Sequence, residues 1–163
     1  MASATTGTTL NTVTSPVTYN AETQTLTAVV TGQTNDGHPL GTVTFQYAGP
    51  TTICSTSTVA SSTSTSTTYS CGISASQLNA GTYAVTAVFA PGTPSSSNTN
   101  YAYSGSSSSP AQNIVINPAS ATTGTTLNTV TSPVTYNAET QTLTAVVTGQ
   151  TNDGHPLGTV TFQ

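Results

Sequence analysis

Residues 2–46 recur without a single change as residues 119–163, so 45 residues repeat at an offset of 117. That period is much longer than the roughly 20 to 50 residues of solenoid repeats. It matches a whole β-sandwich domain of about 100 residues, so each period is expected to fold as its own bead. Residues 2–118 then form one complete unit, and residues 119–163 are a truncated copy of its first part. The arithmetic leaves a surplus. Two versions of the upstream half, 2–46 and 119–163, share one downstream half, 47–118, and exchange between molecules cannot change that ratio. The expectation is that the spare half marks where a longer array of 117-residue units is cut, and that Met1, standing where Pro118 precedes the second copy, marks a unit boundary.

The charge pattern narrows the partners. The chain has no Lys or Arg, and its acids are Glu22, Asp36, Glu139 and Asp153, so 2% of it is charged. Nucleic acids are bound by neutralising phosphates with basic side chains, and anionic lipids by basic clusters; both partner classes lose their physical basis. Salt bridges are equally out of reach, and the surface must be solvated by hydroxyls and amides. No apolar run approaches the roughly 18 residues of a membrane helix. The expectation is a mature, soluble, extracellular piece.

Period-2 alternation, Thr, Val and Tyr enrichment and closely spaced turn residues point to an all-β unit. Strands are expected at 8–14, 23–31, 41–47, 52–58, 66–73, 82–90 and 112–117, with the first three recurring in the truncated copy. The second strand puts Leu26, Ala28 and Val30 on one face, the third Val43, Phe45 and Tyr47, and the sixth Tyr83, Val85, Ala87 and Phe89. These faces are expected to meet in a core. Asn35-Asp36-Gly37 with Pro39, Ala48-Gly49-Pro50, and Pro91-Gly92 with Pro94 are expected to stop strands. Residues 55–70, almost all Ser and Thr, suggest a hairpin tip. Residues 93–109, rich in Ser, Asn and Tyr, suggest a long loop adding little to the core.

Catalytic chemistry is poorly served. A hydrolase needs a nucleophile, a base and an orienting group, and each period offers one His, one Glu and one Asp for the last two roles. His38 and Asp36 share a turn that reads as exposed, and one carboxylate there is too few oxygens for calcium. No catalytic residue, metal or cofactor is expected. Lysine-dependent isopeptide links are impossible without lysine. A Thr-Gln ester, or ice binding by the short alternation of Thr63, Thr65 and Thr67, has only weak support.

Leu78-Asn79-Ala80-Gly81-Thr82-Tyr83, running into Ala84-Val85-Thr86-Ala87-Val88-Phe89, resembles the tyrosine corner and following strand of immunoglobulin-like sandwiches. With Thr8-Thr9-Leu10, Gly41-Thr42-Val43-Thr44-Phe45 and Asn100-Tyr101-Ala102, the unit is similar to the bacterial immunoglobulin-like repeats of surface proteins and adhesins. The resemblance implies a seven-stranded sandwich used in tandem as a structural spacer, with neighbouring repeats as its partners and no active site. It gives Tyr83 the corner role, its hydroxyl bonded to backbone a few residues upstream. Two further roles stand beside the spacer: a self-assembling fibre subunit, and a module binding a glycan or protein.

The unit departs from antibody-type domains in having no Trp, and in having cysteines off the second and sixth strands. An even count, Cys54 and Cys71, favours a disulfide over two buried thiols. If the fourth and fifth strands form an antiparallel hairpin, the two positions face each other about a turn near Ser62-Thr63. Closing so short a loop stabilises by roughly 3 kcal/mol.

Overall fold

The computed structural model describes residues 1–150 and 154–163; Asp153, with Thr151 and Asn152, lies outside the described residues. The chain divides into two compact units, Met1–Ala119 and Ser120–Gln163. Among the described residues the regular structure is all β.

The first unit begins with β1 (Ala2–Ala4), β2 (Gly7–Leu10), β3 (Val17–Thr18), β4 (Gln24–Thr31), β5 (Pro39–Tyr47) and β6 (Thr51–Thr56). It continues with β7 (Val59–Ser62), β8 (Ser66–Ile73), β9 (Gly81–Ser96), β10 (Tyr101–Tyr103), β11 (Ser106–Ser107) and β12 (Gln112–Asn117). One sheet has the order β2-β4-β8-β7, antiparallel throughout. The other has the order β3-β12-β9-β5-β6, with β11 also on β9 and β3 parallel to β12. A short parallel pair, β1 with β10, stands apart.

One apolar core joins the two sheets. Leu10, Leu26, Ala28, Val30, Tyr69 and Ile73 come from the first; Val43, Phe45, Ile53, Val85, Ala87, Phe89, Ile114 and Ile116 come from the second. The alternation of β4, buried at Leu26, Ala28 and Val30 and more open between them, is the pleat of a strand with one face inward. Burying each Leu, Val or Phe contributes on the order of 1.5–3 kcal/mol.

Three sequence expectations are corrected. The strand expected at 8–14 ends at Leu10, and the chain crosses to the other sheet at β3; Pro16, which has no N–H to give a ladder, lies in the crossing. The fourth strand does not pair with the fifth. Residues 48–50 are a tight connection, with positive φ at Ala48 and Gly49, which folds β6 back on β5 so that Phe45 faces Cys54. Through residues 57 and 58 the chain then changes sheet, and β7 takes the place beside β8.

The third correction concerns the prolines after Ala90. They do not stop β9, because Gly41 pairs with Pro91 and Pro39 with Ser96, leaving four residues of β9 opposite Leu40 alone. This bulge takes up Pro94, whose missing donor is not needed there. The segment 93–109 therefore carries the end of β9 together with β10 and β11, and it buries Ser95, Ser96, Tyr103 and Ser108.

The chain enters and leaves the first unit at opposite ends. Thr8 Oγ1 lies 2.7 Å from the hydroxyl of Ser106, which pairs with Phe89, while Ile116 pairs with Gly81 at the other end of that strand.

The second unit contains β13 (Gly124–Leu127) antiparallel to β14 (Ala145–Thr148). Its register, Gly124 with Thr148 through Leu127 with Ala145, reproduces that of Gly7 with Thr31 through Leu10 with Ala28. Residues 156–163, the copy of most of β5, form no strand.

Candidate functional site

The cysteines sit on different sheets. Cys54 is on β6 and Cys71 on β8, and their sulfurs are bonded with Cα atoms 6.4 Å apart. The bond is thus a staple between sheets and not a link across one hairpin. Both half-buried cysteines pack against the shared core.

A second tie between the sheets is polar. The Tyr69 hydroxyl, on β8, donates to the carbonyl of Pro39 at 3.3 Å and accepts from the amide of Gly41 at 3.1 Å; Thr67 Oγ1 donates to the same carbonyl at 2.6 Å. These groups satisfy backbone atoms at the irregular start of β5, where the bulge interrupts the ladder. Burial raises the pKa of Tyr69 above its ordinary value, against the smaller opposing effect of the Gly41 amide.

Tyr83 donates its hydroxyl to the carbonyl of Asn79 at 2.8 Å, tying the turn before β9 to that strand. Its ring meets that of Tyr47 edge to face, with centroids 4.8 Å apart. Nearby, Gln77 Nε2 donates to the carbonyl of Ile53 at 2.7 Å and fastens the same turn to β6.

The turn at Asp36–His38 is not the exposed loop expected from sequence. Asp36 is buried, and the turn's carbonyls are taken in succession by the segment that follows β9's bulge. Asn98 Nδ2 donates to Asn35, Ser96 Oγ to Asp36, the Tyr103 hydroxyl to Gly37, and the amide of Ser97 to His38. A Cβ on Gly37, whose φ is +78°, would strike Ser97, Ser96 and the backbone of Asn98. Burial, and to a smaller degree the Asp36 carboxylate, raise the Tyr103 pKa. The main-chain carbonyls of residues 35–38, rather than the side chains of His38 and Asp36, are what hold the loop in place. Low-complexity composition hid the arrangement, although the tyrosines at 101 and 103 interrupt the Ser and Asn run.

Hydroxyls pair across strands where ion pairs would otherwise stand, one pair exposed and the others part-buried. Thr27 lies 3.1 Å from Ser70, Thr44 3.1 Å from Ser55, and Thr6 and Thr8 each 2.7 Å from Ser106. Glu22, which sequence reasoning gave no role, is fully buried, and neither carboxylate oxygen has a hydrogen-bond partner. Among the described residues no three His, Cys, Asp or Glu side chains come together. A groove in the second unit, lined by Thr123, Thr125, Val147 and residues 156–161, contains no titratable side chain.

No family model, curated protein or solved structure matches the chain. Covalent, aromatic and hydrogen-bonded ties hold two sheets, two turns and one loop in place.

Proposed function

We propose that the first unit is an immunoglobulin-like sandwich of the bacterial surface-repeat kind, acting as a non-catalytic spacer in an extracellular adhesin. The observation that carries this reading is the exit of the chain at the end of the unit opposite its start. Units joined in that way extend end to end, and a pull along the chain loads the long strands β4, β5, β8 and β9 lengthwise, as shear across their ladders.

The strand orders support the fold named here. The order β2-β4-β8-β7 corresponds to the A-B-E-D sheet of immunoglobulin domains, and β12-β9-β5 to G-F-C, with β3 and β6 as added edges. The Tyr83 to Asn79 hydrogen bond fits the tyrosine corner, which belongs at the start of the F strand. A surface solvated by hydroxyls keeps nearly the same charge over a wide pH range, which suits a variable exterior.

Electron microscopy of chains carrying two, four and eight copies of residues 2–118 tests the spacer. Contour length is expected to rise in proportion to copy number, and compact particles whose length does not grow would contradict the reading. A self-assembling fibre subunit is the second reading, favoured by the exposure of Leu127, Tyr136 and Leu157 in the second unit. Filaments of unlimited length from the 163-residue chain, in the same images, would favour it.

A further inference from the structure

We infer that the Cys54–Cys71 bond is a redox-controlled stop on extension, shielded from thiols while the two sheets are packed and cleaved by them once the unit has been pulled open. This rests on the spacer reading, which supplies the setting of a chain pulled along its length.

Strand register places both sulfurs inside. Cys54 pairs with Phe45 on β5, and Cys71 pairs with Leu26 on β4. Directly opposed residues of antiparallel strands project from the same face of their sheet. Phe45 is fully buried and Leu26 is 1% exposed, so that shared face is the inward one in both sheets. Each cysteine accordingly points from its own sheet toward the other, and both pack against the core. Exchange with an outside thiol depends on access to one of the two sulfurs. In the closed unit the sheets restrict that access from both sides.

The same bond decides which residues feel a pull. Load entering at the start of the unit follows the backbone to Cys54, crosses the sulfurs and continues from Cys71 to Asn117. Residues 55–70, with β7 and the first part of β8, form a closed side loop that bears none of it. While the unit is folded, the ladders of β4 with β8 and β5 with β9 share the load. Once they part, no contact runs in parallel with the disulfide. The sulfurs then meet solvent and carry the whole force at the same moment.

The chemistry is a single exchange with an external thiol. Its thiolate attacks one sulfur, the bond between the cysteines breaks as the mixed disulfide forms, and the other cysteine leaves as a thiolate that takes a proton from water. That one step frees the side loop. Cys54 and Cys71 are 17 residues apart, which drawn out span about 56–61 Å, against the 6.4 Å between their Cα atoms in the folded unit. Cleavage therefore lengthens an opened unit by roughly 50–55 Å. Tension and thiols act in sequence: the first exposes the bond, and the second releases the reserve of chain behind it.

The test stretches single molecules of the full 163-residue chain between handles at its two ends, first in buffer and then with dithiothreitol. In buffer, opening of the first unit is expected to be followed by no further lengthening. With dithiothreitol, one added step of roughly 50–55 Å in contour length is expected, after opening and never before it. Its mean waiting time is expected to shorten about tenfold for each tenfold rise in thiolate. Unstretched chain held in the same dithiothreitol for that waiting time, then alkylated, is expected to keep its unalkylated mass. Absence of the step with dithiothreitol, or a waiting time indifferent to thiolate, would overturn the inference. So would unstretched chains alkylated at both cysteines as fast as opened chains take the step. The spacer reading stands or falls separately, on particle length in micrographs, because here the instrument supplies the pull whatever the chain's role.

Discussion

Cys54 and Cys71 join the edge strand β6 of one sheet to the inner strand β8 of the other. The chain between them, residues 55–70, changes sheet and returns through β7, so the bond closes a loop that belongs to both layers. Loop closure and anchoring of an edge strand act together here.

Replacing both cysteines with serine is expected to lower the unfolding free energy by about 3 kcal/mol, the loop-closure value for a ring of this size. Urea unfolding of oxidised and reduced protein gives the difference directly. A change within error would mean that β6 is held adequately by β5 alone.

Phe45 and Phe162 are the same residue of the repeat, one fully buried and the other 44% exposed. Phe45→Ala is expected to cost about 3–5 kcal/mol, as for other buried aromatics. Phe162→Ala is expected to cost less than about 0.5 kcal/mol, as at an ordinary surface site. Thermal melts of the two variants compare the same substitution in two surroundings.

Tyr69→Phe leaves the Gly41 amide without its acceptor and is expected to destabilise by about 1–3 kcal/mol. The pH dependence has a definite sign. Tyr69 and Tyr103 hold their protons more tightly folded than unfolded, so their contribution is complete below the ordinary tyrosine value near 10 and is lost as pH rises through and above it. Alkaline unfolding followed by circular dichroism is expected to be shallower in Tyr69→Phe. An unchanged slope would show that this hydroxyl does not set the alkaline limit.

Glu22 is a fully buried carboxylate without a hydrogen-bond partner, in a chain with no Lys or Arg. Glu22→Met replaces a buried carboxyl that has no hydrogen-bond partner with an apolar side chain of similar length and is expected to raise stability by on the order of 1 kcal/mol or more. Glu139→Met, at the exposed copy of the position, is expected to leave the melting temperature unchanged. Calorimetry of both variants at pH 7 provides the check.

Much of the local structure was legible before any coordinates. Alternation picked out the inward faces of β4, β5 and β9, because a half-buried strand must repeat every second residue. The cysteine pair was legible as a pair and misread as to place. The signal that would have corrected it is the brevity of residues 48–50, which leaves β6 no partner so near as β5. The loop expected at 93–109 failed for a related reason: Ser, Asn and Tyr carry little apolar weight, yet they anchor through hydrogen bonds that composition does not reveal.

The repeated 45 residues separate the two kinds of information. Sequence alone determined the β13–β14 register, which matches β2–β4 although no described strand lies beside β14 as β8 lies beside β4, since side-chain alternation and local pairing act within the segment. Tertiary structure alone decided whether residues 39–46 or their copy 156–163 became a strand. A β-strand cannot satisfy its own backbone, and only the segment supplied with β9 had a neighbour to complete its ladder and cover its apolar face.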